Sequence, residues 1–240
     1  EIGGAHNPVV KDAYGLPYIP GSSLRGRLRS LLEHSMGLVS PAELVYLSRR
    51  RGQEVRIHQR DRPGDEVCLL FGRNSGRMDR VEGESTDARL ATPARLTVYD
   101  APLDQDSITA AMRENLDDEI TEVKSENAID RITAQASPRT LERVPSGARF
   151  CVRMVLDILC DEDRELAASV VAGLRLLEDD ALGGGGSRGS GRVRFDGLRL
   201  AWRSAKFYSH GEAESVLMEG GDTAALQSTV TDSEFSSKLS

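Results

Sequence analysis

The stretch Leu182-Gly183-Gly184-Gly185-Gly186-Ser187-Arg188-Gly189-Ser190-Gly191 constrains the fold of this chain more than any other. Six glycines in positions 183–191 carry too much backbone freedom and too little side chain for a helix or a central strand, so a loop is required there. Its neighbours fix what the loop joins. Upstream, Leu166, Val170, Leu174 and Leu177 recur at helical spacing within 163–179. Downstream, Arg192 to Trp202 reads as a strand. Gly184, Gly186 and Gly189 satisfy G-x-G-x-x-G, but a dinucleotide fold places that loop after a strand and before a helix. Here the order is reversed, and the Gly-Lys-Ser/Thr of a phosphate-binding P-loop is absent. What remains is a backbone open to close approach, its N–H groups forming an anion nest with Arg188 and Arg192 beside it. That suits a ribose-phosphate chain; a flexible surface loop is the plain alternative.

A second cradle is encoded near the N-terminus. Pro17-Tyr18-Ile19-Pro20-Gly21-Ser22-Ser23 predicts a rigid turn running into a helix, with Ser22 or Ser23 as N-cap. Leu24, Leu28, Leu31 and Leu32 form the apolar stripe, with Arg25 and Arg29 on one flank, Arg27 on the other, and Gly37 as a stop. Backbone N–H groups at such a helix start favour phosphate.

Elsewhere, residues 48–95 read as an insertion or long loop around a short apolar island at Val67 to Gly72. Leu96 to Tyr99 is a strand candidate, 104–120 a short solvated helix, and 149–160 one alternating strand whose Cys151 and Cys160 pack in the core. Residues 121–147 are polar and carry Lys124, Arg131, Arg139 and Arg143, as an exposed arm would. From Ser204 onward the chain is acidic and rich in Gly, Ser and Thr, the composition of a mobile tail or linker. The order of elements suits an α+β sandwich with helices on one face of an antiparallel sheet.

The net charge of −7 opposes a nucleic-acid partner only on average. Residues 1–60 hold nine Lys/Arg against five Asp/Glu, and 181–203 hold five Arg against Asp196. The acids concentrate instead in 100–120, seven against Arg113, and in the last 37 residues, six against two Lys. Local basic patches bind phosphates whatever the total. Three cysteines without paired spacing argue against a disulfide framework and for a reducing, cytoplasmic setting. His58 and Cys68, with Asp61 and Asp65 between them, are two borderline ligands ten residues apart with no Cys-x-x-Cys beside them, which falls short of a zinc site, so no metal is assigned.

Pro8-Val9-Val10-Lys11-Asp12 followed by Leu16-Pro17-Tyr18-Ile19-Pro20-Gly21-Ser22-Ser23-Leu24-Arg25-Gly26-Arg27-Leu28-Arg29 resembles the signature of RAMP superfamily backbone subunits of type III CRISPR effector complexes. Leu70-Phe71-Gly72, the block Glu122 to Ala134 with Pro138-Arg139 and Glu142-Arg143 behind it, and the glycine loop running into Arg192-Val193-Arg194-Phe195 continue the likeness in family order. It is nearest to the type III-A repeated backbone member. The resemblance implies an α+β, RNA-recognition-motif-like (ferredoxin-like) palm over 1–203, with an inserted lid region at 48–95 and a protruding thumb hairpin at 121–147. It also implies a first strand and a Gly-Gly-containing loop ahead of Glu1. Residues 204–240 would be a polar acidic tail outside the palm.

The implied partners are CRISPR guide RNA, target RNA, copies of the chain or related RAMP subunits, and other type III effector subunits, with no membrane. Ser22, Ser23, Arg25, Arg29, Gly185, Arg188, Gly189 and Arg192 would meet the guide backbone, and Lys124, Arg131 and Arg139 would act from the thumb. Active members carry an aspartate beside the thumb that supports divalent-metal-dependent cleavage of target RNA. The matching position here is His6. The expectation is therefore a guide-binding subunit without its own cleavage, Mg²⁺ being required only if the site is active. The alternative is an active metal-dependent endoribonuclease in the same complex.

Overall fold

The computed structural model describes residues 8–41, 44–50, 53–59, 65–73, 93–117 and 120–239. His6, much of the 48–95 region and its Asp61 lie outside the described residues. In chain order the elements are β1 (Tyr18–Ile19), α1 (Gly21–Ser35), β2 (Leu44–Arg50), β3 (Gln53–His58), α2 (Glu66–Phe71), β4 (Leu96–Val98) and β5 (Ala101–Asp104). There follow α3 (Ala110–Arg113), β6 (Glu122–Ile129), β7 (Ala136–Arg143), β8 (Arg149–Phe150), β9 (Met154–Leu156) and α4 (Leu166–Glu178). The chain closes with β10 (Leu198–Trp202), α5 (Ala205–His210), β11 (Ser215–Gly221), α6 (Thr223–Thr231) and α7 (Phe235–Lys238). This is the expected α+β mixture, folded as two compact units, Glu1–Ser23 with Val98–Met154 and Leu24–Thr97 with Val155–Ser240.

In the first unit β1, β5 and β8 form a three-stranded antiparallel sheet, and β6 pairs with β7 over eight residues each. The predicted strand 149–160 is divided: β8 pairs with β5, whereas β9 pairs with β4. Cys151 is exposed and Cys160 half-buried, so neither belongs to the core. The predicted solvated helix at 104–120 contracts to the four residues of α3, because Leu103 and Ile108 are buried and hold the preceding chain in β5 and a 3₁₀ turn at Gln105–Ser107.

The core of the second unit is built on α1, α2 and α4. Leu24, Leu28 and Leu32 are buried on α1, all of Val67 to Phe71 on α2, and Leu166, Val171, Leu174 and Leu177 on α4. A Cβ added at Gly173 of α4 would stand 3.4 Å from both Leu28 and Leu32, so glycine here lets α4 approach α1 closely. The apolar island of the insertion is therefore a core helix, and Leu44–Arg50 and Gln53–His58 pair as antiparallel strands β2 and β3 where the start of the 48–95 region reads as an insertion or loop.

Residues 205–239, read from composition as a mobile tail, are folded instead. β11 pairs with β10, Asp222 caps α6 by accepting from the Ala225 amide, and α6 packs on α4. Leu226, Phe235 and Leu239 are buried there. Thr223 Oγ1 donates to Glu178 Oε2 at 2.6 Å, while Glu178 Oε1 accepts from the Phe195 amide at 2.8 Å. The predicted strand 192–202 begins only at Leu198. Among the described residues no helix is long and apolar enough to cross a membrane.

Arg95 and Asp163 form a buried ion pair. Arg95 Nε donates to Asp163 Oδ2 at 3.0 Å, and the same oxygen accepts from the Leu159 and Cys160 amides. Burial alone would raise the Asp163 carboxyl; the bonds from Arg95 and Leu159 outweigh it and hold the group below its ordinary value of 3.8. Asp163→Ala leaves Arg95 buried without this counter-charge and is expected to cost about 3 kcal/mol, read by denaturant unfolding. Because the folded-state pKa is the lower one, this contribution is complete above pH 3.8 and is lost as pH falls through the folded value. The stability gap between wild type and variant should hold at neutral pH and close only in acid.

Candidate nucleic-acid interface

In the first unit the start of α1 is capped from a distance. The Gly21 amide donates to Asp100 Oδ1 at 2.7 Å, so Asp100, rather than Ser22 or Ser23, takes the capping role. A side chain at Gly21 would stand 2.4 Å from the Val98 carbonyl oxygen. Ser22 and Ser23 sit exposed in the first turn.

The β6–β7 hairpin and its turn carry all four cations of the polar arm, and Arg143 Nε donates to Glu122 Oε1 at 2.6 Å. Arg139 Nη2 meets Glu126 Oε2 at 2.6 Å, and Lys124 Nζ lies 3.6 Å from Glu126 Oε1, so one carboxylate holds both. Arg131 is exposed in the turn. That turn is built by Asp130, whose Oδ1 accepts from the Ile132 and Thr133 amides at 2.8 Å each. Those bonds hold the Asp130 carboxyl below its usual range. Ile132 stands 95% exposed at the tip, with Ile129 half-exposed behind it. The sequence signal for this apolar tip was present as two isoleucines in a polar run.

At the hairpin base Glu142 accepts from Lys11 Nζ at 2.6 Å, Thr121 Oγ1 at 2.8 Å and the Val9 amide at 3.0 Å. Burial pushes this carboxyl up, but the three donors outweigh it and leave it below the usual glutamate range. The segment beginning at Pro8 is thus fastened to the hairpin by a residue that sequence reasoning noted only as part of a family block.

In the second unit Arg25 and Arg29 share one flank of α1 and Arg27 takes the other, as their spacing predicts. Arg25 Nη2 donates to the Phe71 carbonyl at 2.6 Å, and its guanidinium stacks 5.5 Å from the Phe71 ring. Burial, and then the nearby Arg29, lower its pKa. Arg29 donates to the His58 carbonyl at 2.6 Å, the Gly72 carbonyl at 3.2 Å and Glu33 Oε1 at 2.8 Å. Both therefore engage carbonyls around the C-terminal end of α2, where cations are favoured. Arg27 is the α1 arginine brought to the glycine loop: Nη2 bonds Asp180 Oδ2, and Nε donates to the Ala181 carbonyl at 3.2 Å. That contact holds the Asp180 carboxyl low.

The loop itself is closed at its neck, where the Leu182 amide donates to the Gly191 carbonyl at 2.8 Å. Gly183, Gly185, Gly189 and Gly191 all adopt φ between 77° and 85°, which only glycine takes without strain. Arg188, Gly189 and Ser190 amides donate within the loop. Among the described residues the amides of Gly183 to Ser187 donate to no protein acceptor. A groove of about 550 Å³ runs beside them, lined by Arg27, Asp179, Asp180, Gly183, Gly186 and Ser187 among others. Arg188 and Arg192 are exposed on the same loop and its exit.

His58, Asp65 and Cys68 also meet. His58 Nε2 lies 2.6 Å from Asp65 Oδ2, Asp65 Oδ1 accepts from the Cys68 amide at 2.8 Å, and the three ligand atoms lie within 4.8 Å of one another. Burial raises the Asp65 carboxyl, but His58 and Cys68 outweigh it and set it low. Asp65 is the N-cap of α2, and the three residues bring an imidazole, a carboxylate and a thiol together, one short of a structural zinc set.

The family follows from most of the chain. A model of the RAMP superfamily matches residues 2–194, and the chain belongs to that superfamily. It is 35% identical over 219 residues to the CRISPR system Cms endoribonuclease Csm3 of Methanocaldococcus jannaschii, covering 88% of this chain and 76% of that protein. The Csm3 of Methanothermobacter thermautotrophicus is 34% identical over 236 residues, 98% of this chain and 89% of that one. Among solved structures, a chain of the Csm3–Csm4 subcomplex in the type III-A CRISPR-Cas interference complex superimposes with a TM-score of 0.56 at 26% identity, covering 94% of this chain and 87% of that chain. Methanopyrus kandleri Csm3 shares the fold, with a TM-score of 0.53 at 24% identity over 88% of this chain and 72% of that one.

Proposed function

We propose that the chain is a Csm3-type backbone subunit of a type III CRISPR effector, holding guide RNA on its glycine loop and presenting it to target RNA without cutting. The observation that carries this reading is the loop: five successive unspent amides, from Gly183 to Ser187, beside Arg27, Arg188 and Arg192. Unspent N–H groups in a left-handed nest with cations at its rim bind phosphate without reading bases. A guide whose sequence changes from one complex to the next needs such a partner. In this reading the chain is an RNA-recognition-motif-like palm, 48–95 is its lid, and β6–β7 is its thumb, with Lys124, Arg131, Arg139 and the isoleucine tip turned to nucleic acid. Copies of the chain and a Csm4-like subunit are its protein partners.

The absence of cleavage rests on His6. Attack by a 2′-hydroxyl on the adjacent phosphodiester needs its proton removed and charge on the phosphate stabilised. A carboxylate at this position would hold Mg²⁺ for that purpose; an imidazole is a poor ligand for so hard an ion. The relatives' endoribonuclease name favours the second reading, in which His6 itself serves as general base. A target-RNA cleavage assay with and without EDTA separates them. Negligible cutting in both conditions, with metal-dependent cutting gained in His6→Asp, is the expected result. Robust wild-type cutting that disappears in His6→Ala would overturn it.

A further inference from the structure

Three successive acids, Glu178, Asp179 and Asp180, stand where α4 ends. The C-terminal end of a helix is partially negative, so carboxylates are disfavoured there. Two of the three are compensated. Glu178 accepts from the Phe195 amide and Thr223 Oγ1, and Asp180 accepts from Arg27 and from the Ala181 amide at 2.7 Å. Asp179 is exposed, lines the groove beside the glycine loop, and has no side-chain partner among the described residues.

If the loop holds a phosphate chain as proposed above, a bare carboxylate in its groove, which repels phosphate, gains nothing unless the ligand also brings a hydrogen-bond donor. A ribose-phosphate strand brings one at every nucleotide, the 2′-hydroxyl. We infer that Asp179 accepts the 2′-hydroxyl of one nucleotide seated in this groove, and so makes the site selective for RNA over DNA. Arg27, oriented by Asp180, takes the neighbouring phosphate. The preference then has two sources: a charge-assisted hydrogen bond to the ribose, and an uncompensated carboxylate facing any strand that lacks the hydroxyl. The inference rests on the guide-binding reading above and goes beyond it by naming the group that recognises the sugar.

The test uses the full chain and three oligoadenylates of one length, with 2′-hydroxyl, 2′-fluoro or 2′-deoxy sugars, titrated by fluorescence anisotropy. The 2′-fluoro strand keeps an RNA-like sugar pucker but cannot donate, which separates the hydrogen bond from strand shape. Wild type should bind the ribose strand about tenfold tighter than the 2′-fluoro strand, the worth of one hydrogen bond to a charged group. In Asp179→Ala that preference should collapse to about twofold or less while the deoxy strand binds no worse than before. Removing an exposed acid from a helix C-terminus should not lower Tm, which serves as the folding control. Equal wild-type affinity for ribose and 2′-fluoro strands, or a preference that survives in Asp179→Ala, would overturn the assignment while leaving guide binding intact. If none of the three strands binds, guide binding itself falls, and this inference with it.

Discussion

Truncation after Arg203 is expected to lower Tm by about 10 °C. Leu226, Phe235 and Leu239 are buried in the folded chain, and each such side chain contributes about 1.5–3 kcal/mol relative to exposure. The same cut removes β11 from its pairing with β10 and takes away the Thr223 hydroxyl that Glu178 accepts from within the unit. A total of about 5 kcal/mol corresponds to the stated shift, at roughly 2–4 °C per kcal/mol for a chain of this size. Differential scanning calorimetry of the truncated chain checks it. An unchanged Tm would return these residues to the status of a tail, as their composition suggests.

Why composition misled there is instructive. The segment buries a few apolar residues spaced far apart, Leu226, Phe235 and Leu239, among Ser, Thr, Gly and acids. No window holds enough of them for a helical stripe to stand out, and α4, on which α6 packs, lies some fifty residues upstream. The stripes of α1 and α4 were legible because four leucines, or three with a valine, recur at helical spacing, although Leu31 is only half-buried and Val171 rather than Val170 is the buried valine. The glycine loop was legible in place and in kind, since its left-handed residues must be glycine.

The arginines were not. Arg25, Arg27 and Arg29 look alike in sequence, and helical spacing shows only which side of the leucine stripe each flanks. It does not show that carbonyls of α2 wait on one side and the glycine loop on the other. Asp100 as a distant cap of α1 and Glu142 as a clasp are both products of tertiary proximity.

The central claim is that the glycine loop binds an RNA backbone, and Gly191 is where it can be broken with least collateral change. Gly191 adopts φ +80°, and a Cβ there would lie 2.1 Å from the Leu182 carbonyl oxygen, so alanine cannot be accommodated without opening the neck of the loop. The buried leucines of α1 and α4 do not depend on that neck. The decisive measurement is affinity for unstructured single-stranded RNA across a salt series, for wild type and Gly191→Ala. Wild type should bind different sequences alike, with log affinity falling against log salt at a slope near −2, as roughly three neutralised phosphates at ~0.7 each require. Gly191→Ala should bind about tenfold more weakly, with a shallower slope, since fewer phosphates are held. A wild-type affinity that does not change with salt, or a Gly191→Ala protein that binds RNA as wild type does, would contradict the account.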